Sequence, residues 1–370
     1  MNLFRKRQYH LNKTLYHAYV PSMDAFLRSI HWDHTLTNLV AETESNVSKL
    51  FQFGDEISSM ITFQDFFLAL EVGNSLSLDG YRLTIEDAYL ANLGSIDETE
   101  ETKLFWKVFH ELKQDLKSIS PIDRFTGEYI HQIARHATND TSLNSYRSKQ
   151  IWINGKTIDD ADFIPAHPKD IEIAMEQLFS FISSTGKYPK SITIALAFAF
   201  FFLVLPFQTH NARISRYLFQ LLIKYHFKSE NFVFPFSLFL ARDTKECNRQ
   251  IMNIAQNDTI TSFITYFLQL LKNSSDLSLS KLKELHTYQE SLSRKLTSTK
   301  RGEIASDKLL HFLPTEPYIS VKRAEDITGL AKPNANILVS KFSKSGILKL
   351  VGNSKRNRIF YVKGYYDIMT

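Results

Sequence analysis

Cysteine is nearly absent from this sequence, since Cys247 is the single one among 370 residues. One thiol excludes an intramolecular disulfide and a metal site built from several cysteines, and it fits a protein of the reducing cytoplasm. Internal repeats and long low-complexity tracts are missing as well. With 44% apolar residues, including 29 Phe and 16 Tyr, the chain can build a sizeable core, and we expect a globular protein.

Long hydrophobic runs are also missing. The most apolar segment, residues 192–207, has 16 residues that include Thr193 and Pro206, whereas a bilayer span needs about 20. We interpret it as a helix buried on all sides within a protein core, and we predict no membrane contact. The amino terminus lacks the continuous apolar core of a secretory signal, so we expect it to belong to the mature protein.

The positive charge is concentrated at the carboxyl end. Residues 281–370 contain 17 Lys and Arg against 8 Asp and Glu, a net charge of +9, which leaves −4 for residues 1–280. This imbalance points to a polyanionic partner for the last quarter of the chain.

Helical spacing of apolar residues dominates the sequence and predicts a mainly α fold. Two segments interrupt it: a β-prone IWI with an Asn154-Gly155 turn, which predicts a hairpin before a helix at Asp170, and ILKLVGNSKRNRIFYV near the end, which predicts two strands. We predict four regions along the chain. They are an N-terminal helical region (1–95), a helical core with a hairpin near 150–164 (96–295), a linker (296–303) and a terminal domain (304–370).

The terminal domain has the element order of a winged helix-turn-helix. Its second helix is predicted to start with Ser320 as N-cap and to end near Gly329, and Pro333 fits the first turn of the third helix, which stops at Gly346. The residues predicted to face inward from the third helix are Ile337, Leu338 and Phe342.

This domain predicts DNA as a partner, because a basic excess and a DNA-binding fold coincide. The expected contacts from the third helix and its ends are Lys332, Asn334, Asn336, Lys341 and Lys344. Those from the wing, directed at phosphates, are Lys355, Arg356 and Arg358. The alternative is a winged helix that contacts only protein, with a solvated charged wing.

The stretch LPFQTHNARISR, residues 205–216, joins the apolar segment to a second helix predicted to begin near Asn211. A helix amino terminus offers free N–H groups, and Arg213 and Arg216 can face the same point, so the stretch predicts an anion site without a Walker loop. Ion pairs that join helices are the alternative role for both arginines.

This stretch resembles the Fic family signature H-P-F-x-[DE]-G-N-G-R-x-x-R. Five fixed positions match: Pro206, Phe207, Asn211, Arg213 and Arg216. Leu205, Thr209, His210 and Ala212 replace the histidine, the acid and both glycines. Residues 146–182 are similar to the family's flap hairpin and following helix, and EVGNSLSLDG is similar to its inhibitory helix, with Ser75, Asp79 and Gly80 in the fixed places.

The resemblance implies ATP with Mg²⁺ as cofactors, AMP transfer to a protein hydroxyl, and a target segment bound along the flap, where Trp152 and Ile153 either contact that segment or pack the hairpin. It also implies that Asn211 and Arg213 hold phosphates, that Arg216 supports this site, and that Asp79 either restrains ATP binding or forms a structural ion pair with Arg216.

The substitutions contradict full activity. Leu205 cannot act as a general base, whose loss costs about 10²- to 10⁴-fold, and Thr209 is a weak ligand for a hard dication. His210 and Ala212 put side chains where the phosphate loop has glycine, which opposes nucleotide binding. His210 is not expected to replace the base.

Three functions stay open. The first is a catalytically impaired Fic-type protein that regulates through DNA binding, its body used for ligand sensing or homodimerisation. The second is an active nucleotidyltransferase with altered chemistry. The third is a scaffold whose flap binds a protein segment without transfer. The resemblance also predicts a bacterial, cytoplasmic protein.

Overall fold

The computed structural model describes residues 3–57, 60–118, 126–184, 186–228, 233–257, 259–295, 300–352 and 357–369. Within them the chain forms five strands and sixteen α-helices. The strands are β1 (Phe4–Leu11), β2 (Thr14–Pro21), β3 (Tyr318–Ser320), β4 (Leu348–Leu350) and β5 (Ile359–Val362). The helices are α1 (Met23–Arg28), α2 (His34–Glu56), α3 (Met60–Leu78), α4 (Ile85–Asn92), α5 (Glu100–Ser118), α6 (Gly127–Thr138), α7 (Pro168–Ser183), α8 (Lys190–Val204), α9 (Asn211–Phe227), α10 (Phe236–Arg242), α11 (Thr244–Asn257), α12 (Ile260–Lys295), α13 (Lys300–Phe312), α14 (Val321–Thr328), α15 (Lys332–Lys344) and α16 (Lys363–Met369).

The chain divides into two compact units. The first contains residues 1–48, 110–228 and 236–274, and the second contains residues 49–109, 229–235 and 275–370. The second unit thus groups the terminal segment with residues 49–109, an arrangement that the four predicted regions do not describe. Of the predicted linker, residues 296–299 lie outside the described residues, and α13 begins directly after them at Lys300.

The first unit is built around α8. This helix is apolar on every side, as predicted, and it is buried along almost its whole length. Helices α7 and α9 pack against it, and a cluster of aromatic rings joins α8 to the elements that follow. The rings are Phe198, Phe219, Phe236 and Phe267, of which Phe219 and Phe236 stack with centroids 3.9 Å apart.

The first unit begins with a β-hairpin, although a helical region was predicted for the amino-terminal part of the chain. Strands β1 and β2 pair antiparallel from Phe4↔Pro21 to Leu11↔Thr14 around a two-residue turn. Asn12 takes the left-handed conformation there, with φ 55°, which asparagine tolerates better than most residues. Alternate residues of β2, Tyr16, Ala18 and Val20, are buried, as expected for a strand with one covered face.

The second unit contains a three-stranded antiparallel sheet in the order β3-β5-β4. The helices α13, α14 and α15 precede or lie between its strands, so the element order is helix, strand, helix, helix, strand, strand. Two predicted boundaries are confirmed: the Ser320 hydroxyl accepts from the Arg323 N–H at the start of α14, and Gly329 ends that helix with φ 72°.

The terminal helix α16 anchors this segment within the second unit. Tyr365 is fully buried and its ring lies against Phe63 and Phe66 of α3 and Tyr288 of α12. A Cβ at Gly364 would lie 2.2 Å from the Tyr288 ring, so a glycine is required at this crossing. Nearby, Tyr318 of β3 stacks on Tyr89 of α4 and donates to Glu86 at 3.1 Å.

Candidate functional site

The loop between α8 and α9, with the first turns of α9, forms what we call the signature loop, residues 205–216. It begins with Leu205, which is 9% exposed and takes the left-handed conformation at φ 47°. The Leu205 N–H closes the end of α8 by donating to the Phe201 carbonyl at 3.1 Å. A leucine in this conformation costs about 1–2 kcal/mol, so the surrounding contacts must fix the loop.

Asn211 provides one such contact. Its side-chain oxygen accepts from the Phe207 N–H at 2.9 Å, and its side-chain nitrogen donates to the Phe207 carbonyl at 2.7 Å. Phe207 is fully buried and Asn211 is 7% exposed. The Asn211 amide therefore closes the loop on itself, which is a structural role and differs from the phosphate contact that the sequence resemblance implies.

The glycine positions of the family pattern have different backbone requirements. His210 adopts the left-handed conformation, with φ 62°, immediately before α9. Histidine is enriched there compared with most residues, so the loop keeps a backbone that suits glycine although the glycine is missing. Ala212 lies within the first turn of α9, where glycine is not needed.

Both arginines of the signature loop are buried within α9. Arg213 is 2% and Arg216 is 4% exposed. Each makes further interactions within the structure. Because so little guanidinium surface reaches solvent, an incoming phosphate has poor access to either residue in this conformation.

Arg147 makes the main contacts to the signature loop that the sequence analysis did not predict. Its side chain is buried and donates to three backbone carbonyls: to Leu205 at 2.8 Å from Nε, to Lys149 at 3.0 Å from Nη1, and to Ala166 from Nη2. Its own N–H donates to the Pro206 carbonyl at 2.9 Å. Burial lowers the pKa of the Arg147 guanidinium to about 10. One cation thus holds the start of the signature loop against two neighbouring segments.

A polar network also joins α9 to α5 and α6. The Tyr217 hydroxyl donates to Asp115 at 2.7 Å, and the His136 ring lies 2.8 Å from the same carboxylate and 3.4 Å from Glu111. Hydrogen bonding to Asp115 raises the pKa of His136, although burial and Arg135 oppose this. Burial, followed by the charge of Asp115, raises the pKa of Tyr217. Tyr217 is one turn from Arg213, so the network fixes the helix that carries the signature loop.

The flap, residues 150–164, is less regular than the predicted hairpin. Its two sides meet at one antiparallel bridge, Ile153↔Phe163, around a turn in which Asn154 and Gly155 have φ 56° and 78°. A 3₁₀ turn at Ile158–Asp160 fills the rest. The Asn-Gly turn is confirmed, whereas a longer ladder does not form in the described residues.

The amino-terminal hairpin covers one side of the flap. The Tyr19 N–H of β2 donates to the Ile164 carbonyl at 3.0 Å, and Tyr19 forms a parallel bridge with Pro165. Trp152 packs against the small core of this region, which consists of Tyr16, Ala18, Ile158 and Ile164. This contact matches the packing role considered for Trp152.

Strand β1 is tied to the helix after the flap. The Asp170 carboxylate, buried in the first turn of α7, accepts from the Tyr9 hydroxyl at 2.7 Å and forms an ion pair with Arg7. Tyr9 also stacks on His167, the N-cap of α7, with centroids 3.8 Å apart. The hairpin is therefore a fixed part of the site.

The model of the Fic/DOC family matches residues 124–223, which include the flap, α7, α8 and the signature loop. A Fic family protein from Desulfovibrio desulfuricans G20 has 13% identity and a TM-score of 0.54, over 90% of this chain and 97% of that one. The fold is a Fic fold. Fic-1 from C. elegans, residues 134–508, has 13% identity and a TM-score of 0.51, over 67% of this chain and 74% of that one. None of the curated proteins matches the chain.

Fic enzymes typically use ATP with Mg²⁺, so the fit of these groups to this Fic fold matters. The signature loop contains no carboxylate, and Thr209 offers one neutral oxygen, which a hard dication does not favour. In the described part of the chain, no cluster of three or more His, Cys, Asp and Glu side chains is suited to a metal. With the Asn211 amide already occupied, the loop does not fit a metal-bound triphosphate.

The residues that resemble the inhibitory helix lie at the end of α3. Ser75 is in its last turn, whereas Asp79 and Gly80 follow it, Gly80 with φ 89°. Ser75 and Asp79 are partly buried. The ion pair between Asp79 and Arg216 remains a prediction.

The structure describes six of the eight residues predicted to contact DNA. Lys332, Asn334, Asn336 and Lys344 are exposed on α15, and Lys341 is partly buried. Arg358 donates to Asn336 at 2.6 Å and so ties the start of β5 to α15. Lys355 and Arg356 lie outside the described residues.

One inward-facing residue was predicted wrongly. Ile337 is 65% exposed, whereas Ala335, Leu338, Val339 and Phe342 form the buried face of α15. The prediction that Leu338 and Phe342 face inward is confirmed. Neighbouring residues of a helix are about 100° apart, so Ile337 and Leu338 cannot both point to the centre of the core.

A cleft of about 680 Å³ lies beside α15 in the second unit. Its walls include Gly94 after α4, Ser320 and Lys322 at the start of α14, Lys332 and Asn336 of α15, and Arg358.

Among the helices of the described ranges, none has the length and apolarity that a bilayer span requires.

Proposed function

We propose that the protein is a Fic-fold regulator that binds DNA through its carboxyl-terminal segment and does not transfer AMP. In this proposal residues 300–369 form a winged helix-turn-helix domain, with α15 as the helix that enters the major groove. The body of the Fic fold senses a ligand or forms a homodimer.

The observation that carries the proposal is the outward face of α15. A continuous buried face leaves the opposite face, with Asn334, Ile337 and Lys344, open to solvent. Amide and cationic side chains on one exposed helix face are suited to base edges and phosphates. The net charge of +9 over residues 281–370 supplies the attraction to a polyanion.

The signature loop supports the absence of transfer in this proposal. Leu205 provides no group that could take a proton from an incoming hydroxyl, and its carbonyl is held by Arg147. The Asn211 amide is engaged by Phe207. These contacts support a structural role for the signature loop.

Electrophoretic mobility shift with fragments of genomic DNA tests the proposal at low and moderate salt. We expect a shift that weakens with salt, and a weaker shift for the double variant Lys332→Ala/Lys344→Ala. Lys156→Ala is the matched control, because this lysine is exposed on the flap. The proposal fails if no fragment shifts at low salt.

A second function, nucleotide binding with altered transfer chemistry, is favoured by one observation. His210 keeps the left-handed backbone at the glycine position of the signature loop, so the loop's conformation does not depend on that glycine. Incubation with ATP labelled at the α-phosphate tests transfer, and calorimetry with ATP and Mg²⁺ tests binding. Label transfer to a protein that is lost in Arg213→Ala would establish the second function over the first.

A further inference from the structure

Helix α15 carries an exposed isoleucine. Ile337 is 65% exposed, near the middle of the face opposite Ala335, Leu338, Val339 and Phe342. A single exposed apolar side chain is ordinary on a protein surface. Its position is informative, because, apart from Pro333, the exposed residues on this face of α15 are polar or cationic.

The neighbours of Ile337 define the kind of surface it belongs to. Asn334 precedes it by three residues, whereas Lys341 and Lys344 follow it by four and seven, so all four residues share one side of α15. Duplex DNA presents a methyl group and hydrogen-bonding edges side by side in its major groove. A surface that combines an aliphatic side chain, an amide and lysines complements this pattern.

Charge selects DNA among the macromolecules that could cover this face. The lysines of α15 belong to a segment with a net charge of +9, so a second copy of the same segment would be repelled, whereas a polyanion is attracted. The face is also short, since α15 has 13 residues, which suits insertion into a groove.

We propose that Ile337 contacts the 5-methyl group of thymine and that Asn334 hydrogen-bonds to the adenine of a neighbouring base pair. The DNA site would then contain A·T pairs where it faces the middle of α15. This inference rests on the DNA-binding function proposed above. Asparagine pairs with the N6 and N7 edge of adenine, and aliphatic side chains contact the thymine methyl. The Asn336 side chain is less available, since its amide oxygen Oδ1 accepts from Arg358.

The test uses the full chain and a selected duplex. Short duplexes with a randomised core are enriched by binding, and the preferred duplex is then synthesised with thymine or with deoxyuridine at each position in turn. The exchange removes one methyl group and nothing else. At the contacted position we expect about four-fold weaker binding to deoxyuridine, which corresponds to about 0.8 kcal/mol for one buried methyl.

The decisive measurement repeats the exchange with Ile337→Ala. This variant should bind the thymine duplex more weakly than the wild type and should no longer distinguish thymine from deoxyuridine. Ile304→Ala is the matched control, since Ile304 of α13 is 62% exposed, and it should retain the four-fold preference. Analytical size exclusion of both variants checks whether Ile337 serves self-association.

The outcomes separate the inference from the proposed function. If a duplex is enriched but deoxyuridine weakens the wild type and Ile337→Ala equally, or weakens neither, the inference is overturned while DNA binding stands. Loss of a dimer in Ile337→Ala without any effect of deoxyuridine overturns it in favour of self-association. If no duplex is enriched at low salt, both the function and the inference fail.

Discussion

Arg147 offers the sharpest test of how the signature loop is held. In Arg147→Ala, the carbonyls of Leu205, Lys149 and Ala166 lose a charged donor. Hydrogen bonds to a charged group contribute about 1.5–3 kcal/mol each, so three contribute roughly 6 kcal/mol at about 2 kcal/mol each. The substitution also relieves a buried charge.

The cost of that burial follows from the lowered pKa. A guanidinium whose pKa falls from 12.5 to about 10 is disfavoured in its charged form by roughly 3 kcal/mol. The difference predicts that Arg147→Ala lowers the free energy of unfolding by about 3 kcal/mol. Arg147→Lys should be no better, because an ammonium group keeps the burial cost and cannot reach three carbonyls with a planar fork.

Urea unfolding, followed by tryptophan fluorescence, measures both variants. Trp152, one of three tryptophans that contribute to the signal, lies in the flap and packs against the small core of this region. Arg5→Ala is the control, because Arg5 is exposed on β1 and its loss should change stability by less than about 0.5 kcal/mol. A loss of less than about 1 kcal/mol in Arg147→Ala, or wild-type stability in Arg147→Lys, would contradict this role of Arg147.

Three further predictions concern the same unit. Asn211→Ala removes two buried hydrogen bonds and should cost about 2 kcal/mol in thermal unfolding; an unchanged midpoint would contradict the loop-closing role. Gly155→Ala combines φ 78° with a Cβ 2.6 Å from the Asp160 carbonyl oxygen, so it should cost about 1–2 kcal/mol and speed amide exchange in the flap but not in α8. The pKa of His136 is raised in the folded protein. The charged His136 should therefore contribute fully to the free energy of unfolding below the unfolded-state pKa of about 6.5, and this contribution should be lost as the pH rises through the folded-state pKa. The wild type should exceed His136→Gln in stability by more at acidic pH than at alkaline pH. A difference in stability that grows with pH would contradict this prediction.

The sequence predicted the elements whose signals are local. The all-round apolar α8, the start of α9 at Asn211 and the caps of α14 were correctly predicted, because each depends on a few adjacent residues. The predictions of function at this site relied instead on family resemblance, which supplied roles for residues without their surroundings.

Contacts between distant residues could not be predicted in this way. Arg147 meets Leu205 across 58 positions and Tyr9 meets Asp170 across 161, and nothing in the local pattern marks either pair. Strands β1 and β2 were missed for a different reason: their turn is Asn12-Lys13, which is a weaker hairpin signal than Asn-Gly. The alternation of β2 was the available clue.

The pairing of β2 with the flap leaves β1 as the outer strand of its sheet. In the described part of the chain β1 pairs only with β2, and its eight residues include the exposed Arg5 and Lys6 beside Arg7, whose charge is paired with Asp170. Two copies meeting edge to edge would bring these cations together, which discourages aggregation through unpaired strands. Salt screens such repulsion, so filament formation and precipitation should be easiest to provoke at high ionic strength.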